Sequence, residues 1–127
     1  MIDKEKIVLS SLGHTWLIDI DGTVVKHNGY KIDGYDTLLP NVKEFFESIP
    51  KQDRIIFLTS RTENYKEITE RFLSENRIRF DSIIYGLPYG ERILINDDKP
   101  SGLSMSYAIP LRRDEGMDFR IVIDEAL

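Results

Sequence analysis

The stretch Thr15-Trp16-Leu17-Ile18-Asp19-Ile20-Asp21-Gly22-Thr23 decides the reading of this chain. Thr15 to Ile20 is apolar on both faces over the length of a strand. Asp21-Gly22 closes it with a turn signal, so the run reads as a buried strand. Similar runs recur downstream. Arg54 to Thr59 reads as a second strand, Ser82 to Tyr85 as a third, Arg92 to Ile95 as a fourth and Tyr107 to Ile109 as a fifth, with Phe119 to Ile123 adding an edge strand. Helical patterns lie between them. Pro40 suits the first position of a helix whose Val42, Phe45, Phe46 and Ile49 share one face, and Pro50 stops it. Tyr65, Ile68, Phe72 and Leu73 mark another, with Thr62 or Ser60 available as N-cap. Nearly continuous apolar strands separated by helices imply an α/β fold with a parallel sheet covered on both faces. The residues before Gly13 read as a short helix, and His27-Asn28-Gly29-Tyr30 as the tight turn of a hairpin.

With 127 residues the chain is expected to form a single domain over 1–127. It contains no cysteine, which excludes thiolate nucleophiles, Cys-ligated zinc and iron–sulfur clusters and fits a reducing compartment. A formal charge of -5 argues against nucleic acid and acidic lipid as partners, because neutralising phosphate is the main source of such affinity. At 41% hydrophobic and 31% charged the chain is globular, and no run approaches the ~20 apolar residues of a membrane span. The charged start, Met1 to Lys6, is unlike a signal peptide. A soluble, cytoplasmic domain is expected.

Ligands of open parallel α/β sheets bind beyond the carboxyl ends of the strands, so those ends are where chemistry is sought. The first strand ends in Asp19 and Asp21, the second in Thr59-Ser60-Arg61, the fourth in Asn96-Asp97-Asp98-Lys99. Convergence of Asp19, Asp21 and Asp97 would repel strongly unless a cation sat among them, and oxygen ligands without His or Cys favour Mg²⁺. Thr59 offers a hydroxyl, and the Thr59-Ser60 turn serves equally as a helix cap or a phosphate contact. This set suits phosphoryl transfer, in which an Asp can attack as nucleophile and a second carboxylate can shuttle the proton. Other polar residues have plainer readings. Arg61 either reaches the site or pairs with Glu63 or Glu67, the surface pairing being the plainer reading; His14 and His27 are polar loop residues, and Arg112-Arg113-Asp114-Glu115 is a solvated turn of mixed charge. Trp16 and the Phe45-Phe46 pair belong to the core by spacing.

Asp19-Ile20-Asp21-Gly22-Thr23, Phe57-Leu58-Thr59 and Leu94-Ile95-Asn96-Asp97-Asp98 together resemble, in order, the first, second and fourth motifs of the haloacid dehalogenase superfamily, in its phosphatase branch. The resemblance runs from about Thr15 to Ile109. It implies a three-layer α/β/α sandwich with a mainly parallel, Rossmann-like sheet. It makes Asp19 the nucleophile and Asp21 the general acid and base, with Mg²⁺ held by Asp19, the Asp21 carbonyl and Asp97; Asp98 is the alternative neighbour. The phosphate-binding cation of the third motif falls on Arg92 or on Lys99, beside Thr59 and Ser60 as phosphate contacts. An acid at position 21 points to phosphate esters, since halide leaves without a proton.

Only 16 residues, Val24 to Leu39, separate Thr23 from Pro40, and 37 lie between Thr59 and Asp97, so no cap domain fits and only a short hairpin flap remains. Capless members of the resembled family take large substrates or close the site with a neighbouring subunit, which makes a homo-oligomer one expectation. The substrate expected is a phosphorylated small molecule such as a sugar phosphate. The alternatives are a catalytically idle phosphate- or sugar-binding module and a phosphatase acting on a phosphoprotein or a nucleic acid end. A receiver domain would need its acceptor Asp at the third strand end, where Tyr85-Gly86 stands.

Overall fold

In a computed structural model of the chain, residues 5–127 are described. Five strands form two parallel sheets. Strands β1 (Glu5–Leu9) and β5 (Phe119–Ile123) pair with each other, Glu5 opposite Phe119. Strands β2 (Thr15–Asp19), β3 (Arg54–Leu58) and β4 (Ser82–Ile84) form the second sheet in the order β2-β3-β4, with Asp19 opposite Leu58 and Leu58 opposite Ile84. The helices are α1 (Gly29–Ile32), α2 (Val42–Ser48) and α3 (Lys66–Glu75), the last entered through a 3₁₀ turn at Glu63–Tyr65. The architecture is α/β with parallel strands, as expected, and helices join β2 to β3 and β3 to β4; the strands nonetheless divide into two sheets, and Phe119–Ile123 pairs with β1 instead of adding an edge to one sheet. No helix among the described residues is long and apolar enough to cross a membrane.

Apolar spacing explains what the core contains. Val42, Phe45 and Phe46 lie on one face of α2 and are buried, together with Ile49 just beyond it. They meet Ile55 and Phe57 of β3, Ile18 and Ile20 at the end of β2, and Leu73 of α3. Trp16 packs edge-on against Phe45, with ring centroids 5.7 Å apart. Asp53, buried at the head of β3, fixes that entrance: its Oδ2 accepts from Trp16 Nε1 at 2.9 Å and meets His14 Nδ1 at 2.8 Å, while Oδ1 accepts the His14 backbone N–H at 3.0 Å. His14 is thus tied into the structure and is no ordinary loop residue.

The structure corrects several sequence expectations. Of the segment before Gly13, residues 1–4 lie outside the described residues, and Glu5–Leu9 is strand β1, with Ile7 and Leu9 buried and the backbone paired with β5. Asn28, left-handed at φ 56°, starts the helical turn α1 instead of a tight hairpin turn. The flap still closes antiparallel at its base, where Lys26 N–H meets the Thr37 carbonyl at 2.9 Å and Leu39 N–H the Val24 carbonyl at 3.0 Å. Ile68, expected on the buried face of α3, is exposed, and Thr69 takes its place beside Leu73. Neither Arg92 to Ile95 nor Tyr107 to Ile109 is a strand. Among the described residues neither run joins a sheet, and β2 pairs only with β3, so the apolar side chains are not held: Ile93 is 83% and Ile95 91% exposed.

Candidate active site

The loop after β2 is shaped by its own backbone. Gly22 adopts φ 84°, a conformation that only glycine takes without strain, and its N–H reaches the Val25 carbonyl at 2.7 Å. The N–H groups of Val24 and Val25 both turn to the Ile20 carbonyl, at 2.9 and 3.1 Å, and both valine side chains are buried. Two carboxylates leave this anchored turn in different company. Asp19 Oδ2 accepts from the Thr23 hydroxyl at 3.1 Å, and Oδ1 from Arg92 Nη1 at 2.9 Å. Asp21 is held bidentately by Arg61, Nε to Oδ2 and Nη2 to Oδ1, both at 2.9 Å.

Arg61 is the residue that sequence reasoning placed on the surface. Its side chain is 1% exposed. The chain after β3 keeps pairing irregularly with the segment after β4: Leu87 N–H meets the Thr59 carbonyl at 3.0 Å and Gly86 N–H the Arg61 carbonyl at 2.7 Å. Arg61 thereby turns inward. Besides Asp21 it binds Asp36 through Nη1 at 3.1 Å and Nη2 at 2.7 Å, and Thr69 Oγ1 through Nη1 at 2.8 Å. These bonds engage all five N–H donors of a guanidinium. Tyr30 of α1 closes the other side, its ring centroid 3.9 Å from Arg61 Cζ. Burial opposes the Arg61 charge, but the hydrogen bonds to Asp21 and Asp36 outweigh it and hold the guanidinium charged above its ordinary pKa. Burial, followed by the Asp21 charge, raises the Tyr30 hydroxyl. Asp36 and Tyr30 escaped the sequence reading; Arg61 was seen as one that could reach the site, from the Thr-Ser-Arg run directly after a buried strand.

Thr59 stands beside this centre. It is buried, and its Oγ1 accepts the Arg61 backbone N–H at 3.0 Å while keeping its own hydrogen to donate. Ser60 instead donates to the Pro88 carbonyl at 3.4 Å. Of the two candidate cations, Arg92 reaches Asp19, whereas Lys99 lines a separate cleft with Asn96, Asp97, Asp98, Pro100 and Met105. That cleft measures about 140 Å³. Asp98 Oδ1 accepts the Met105 N–H there at 3.2 Å. The structure therefore brings together Asp19, Asp21, Thr59 and Arg92 and leaves Asp97 and Lys99 apart. Among the described residues, no three His, Asp or Glu side chains gather as a metal site. The missing fourth strand explains this, since Asp97 was to be carried by it.

Arg92 can receive an anion at this rim, and Asp19 stands there as a half-exposed carboxylate able to attack, while the Thr59 hydroxyl is buried. In class, the protein is an α/β chain of parallel sheets with a carboxylate–guanidinium centre at the carboxyl ends of two neighbouring strands.

No family model matches the chain, and no curated protein does. Among solved structures it is similar to a chain of the "Pnkp1/Rnl/Hen1 complex", with 26% identity and a TM-score of 0.51 over 72% of this chain and 33% of that one. A chain of the "Pnkp1/Rnl/Hen1 RNA repair complex" is similar in fold, with 24% identity and a TM-score of 0.50 over 67% of this chain and 30% of that one. The chain thus spans about a third of the length of the chains it matches.

Proposed function

We propose that residues 1–127 form a single capless domain of haloacid dehalogenase type, a three-layer sandwich that hydrolyses a phosphate monoester through an aspartyl-phosphate. One observation carries the reading: Asp19 and Asp21 leave the carboxyl end of β2 beside Thr59 at the end of β3, with Arg92 on Asp19. Asp19 attacks phosphorus; its O–P bond forms as the ester P–O bond breaks. Asp21 gives its proton to the departing oxygen, then takes one from the water that releases phosphate. Arg92, exchanging Asp19 for the phosphoryl oxygens, offsets the charge that develops there.

Asp21 accepts hydrogen bonds on both oxygens from Arg61, the bonding of a carboxylate. To serve as an acid it must release at least one of them and take up a proton from solvent before the ester bond breaks. Asp36 makes that release affordable, because Arg61 keeps a bidentate counter-ion while Asp21 turns to the substrate. Mg²⁺ belongs to the proposal through the family resemblance alone. The donor set does not form a cation site as it stands, with Asp19 facing Arg92 and Asp97 in its own cleft, so no step is routed through the ion.

The substrate class favoured is a sugar phosphate or related metabolite. A second reading, a phosphatase of nucleic acid ends, draws on the likeness to the RNA repair complexes and is opposed by the net charge of -5. A Mg²⁺-supplemented panel of sugar phosphates, phosphopeptides and 3′-phosphorylated oligonucleotides separates the two readings. Release of phosphate from a sugar phosphate, absent in Asp19→Asn, is the expected result. No release from any ester would leave an idle binding module.

A further inference from the structure

The loop 112–117 is pinned against the same turn from which the two aspartates leave. Asp114, left-handed at φ 66°, donates its N–H to the Gly22 carbonyl at 2.9 Å, and its Oδ1 accepts the His27 N–H at 2.8 Å. Further along, Met117 N–H meets the Pro40 carbonyl at 3.1 Å, and the Asn41 amide donates to the Met117 carbonyl at 3.4 Å. Gly116, at φ 85°, is required there: a Cβ would collide with the Pro40 carbonyl. Backbone bonds at both ends therefore fix where this loop stands.

What the loop carries to the turn is Arg113. Its side chain lies across Gly22, so that a Cβ on that glycine would come within 3.2 Å of Arg113 Cγ and 3.7 Å of its Nε. Gly22 directly follows Asp21, the residue placed at the departing oxygen. Arg61 has every donor engaged and Arg92 is paired with Asp19, but the exposed Arg113 makes no ion pair or side-chain hydrogen bond among the described residues. The site itself sets three carboxylates, Asp19, Asp21 and Asp36, against the two guanidiniums of Arg61 and Arg92, so it has no cation to offer a second anion.

We infer that Arg113 recognises a second anionic group, a carboxylate, borne by the leaving-group side of the ester. The inference rests on the phosphatase reading for which side of the ester is meant, but its binding arm does not depend on turnover. Two matched pairs test it, each differing by CH₂OH against carboxylate: glycerol 3-phosphate with 3-phosphoglycerate, and glucitol 6-phosphate with 6-phosphogluconate. Binding is measured by calorimetry on Asp19→Asn protein with Mg²⁺, and kcat/KM on protein with Asp19 intact.

At least one pair should favour the carboxylate, and Arg113→Gln should cut that preference by about 10- to 100-fold, the worth of a charge-assisted fork. Because the Arg113 side chain makes no polar bond among the described residues, the melting temperature should hold. Should Arg113→Gln fail to fold, Arg113→Met carries the same test, since it removes the charge and keeps an unbranched stem. No preference in either pair, or a preference that survives in Arg113→Gln, overturns the inference. A lost preference in binding without any turnover by the Asp19 protein would uphold the anion site and remove the phosphatase reading alone.

Discussion

Two regions of this molecule start from similar material and end differently. Around Arg61, charged residues from three segments are drawn inside, with side-chain exposures of 1% for Arg61, 4% for Asp36 and 18% for Asp21. Across residues 91–109, apolar residues that should be inside lie in solvent, Ile93 and Ile95 nearly bare. The first region has a partner for every donor; the second has no backbone ladder to join. Hydrophobicity therefore does not decide burial unaided. A charged group goes in when its hydrogen bonds are complete, and an apolar run stays out when its main chain has nowhere to pair.

The largest effect that could break this contrast is at Asp19. Asp19→Asn should lose more than about 10³-fold in turnover of the preferred ester, as removal of a nucleophile does, with the melting temperature nearly unchanged because the side chain is half-exposed. Activity retained in the folded variant would make the carboxylate–guanidinium centre a structural feature only. The ion implied by the family resemblance could enter only by displacing Arg92 from Asp19; on that reading EDTA arrests turnover and added Mg²⁺ restores it. Undiminished turnover in EDTA would show that the arginines serve without a metal.

Arg61→Met tests the buried region directly. It leaves Asp21 and Asp36 facing each other without their cation, and loss of one partner from a buried pair costs about 3–5 kcal/mol. Urea denaturation should show a loss of that order; a loss below about 1 kcal/mol would mean the centre is solvated. Asp21→Asn should act on chemistry more than on folding, since Asp36 still compensates Arg61. Turnover should fall by at least ~10²-fold, most for esters with poor leaving groups. An equal fall for good and poor leaving groups would remove the acid role.

How much of this could be read from the sequence follows from how local each signal is. β2, β3, β4 and the apolar face of α2 were legible because each is a short run whose spacing states its own burial. β1 was not, since its partner β5 lies at the far end of the chain. The Asn28-Gly29 pair suits a hairpin turn or a left-handed residue before a helix, and only the surrounding flap selects the second. At the site, Asp19, Asp21 and Thr59 announced themselves by standing at strand ends. Arg61 stood at a strand end too, but its sequence neighbours Glu63 and Glu67 favoured a surface pair, while its real partners Asp21 and Asp36 are 40 and 25 residues away. Asp97 was placed by assuming a fourth strand, and the structure carries it elsewhere.

The smallest expected effect bears on that fourth run. Ile95 is 91% exposed and lies in no strand, so Ile95→Ser removes little buried surface and should change stability by no more than about 0.5 kcal/mol. The same substitution in a strand packed along the open edge of β2 would cost several times as much, because a buried isoleucine is worth about 2–5 kcal/mol on truncation. Ile55→Ser in β3, where the side chain is fully buried, provides the reference for such a loss in this very sheet. Urea denaturation of the two variants side by side reads the difference. Near-equal losses would mean that Arg92 to Ile95 pairs with β2 in solution and carries Asp97 toward Asp19. A loss confined to Ile55→Ser would leave Arg92 as the residue of that run that serves the site.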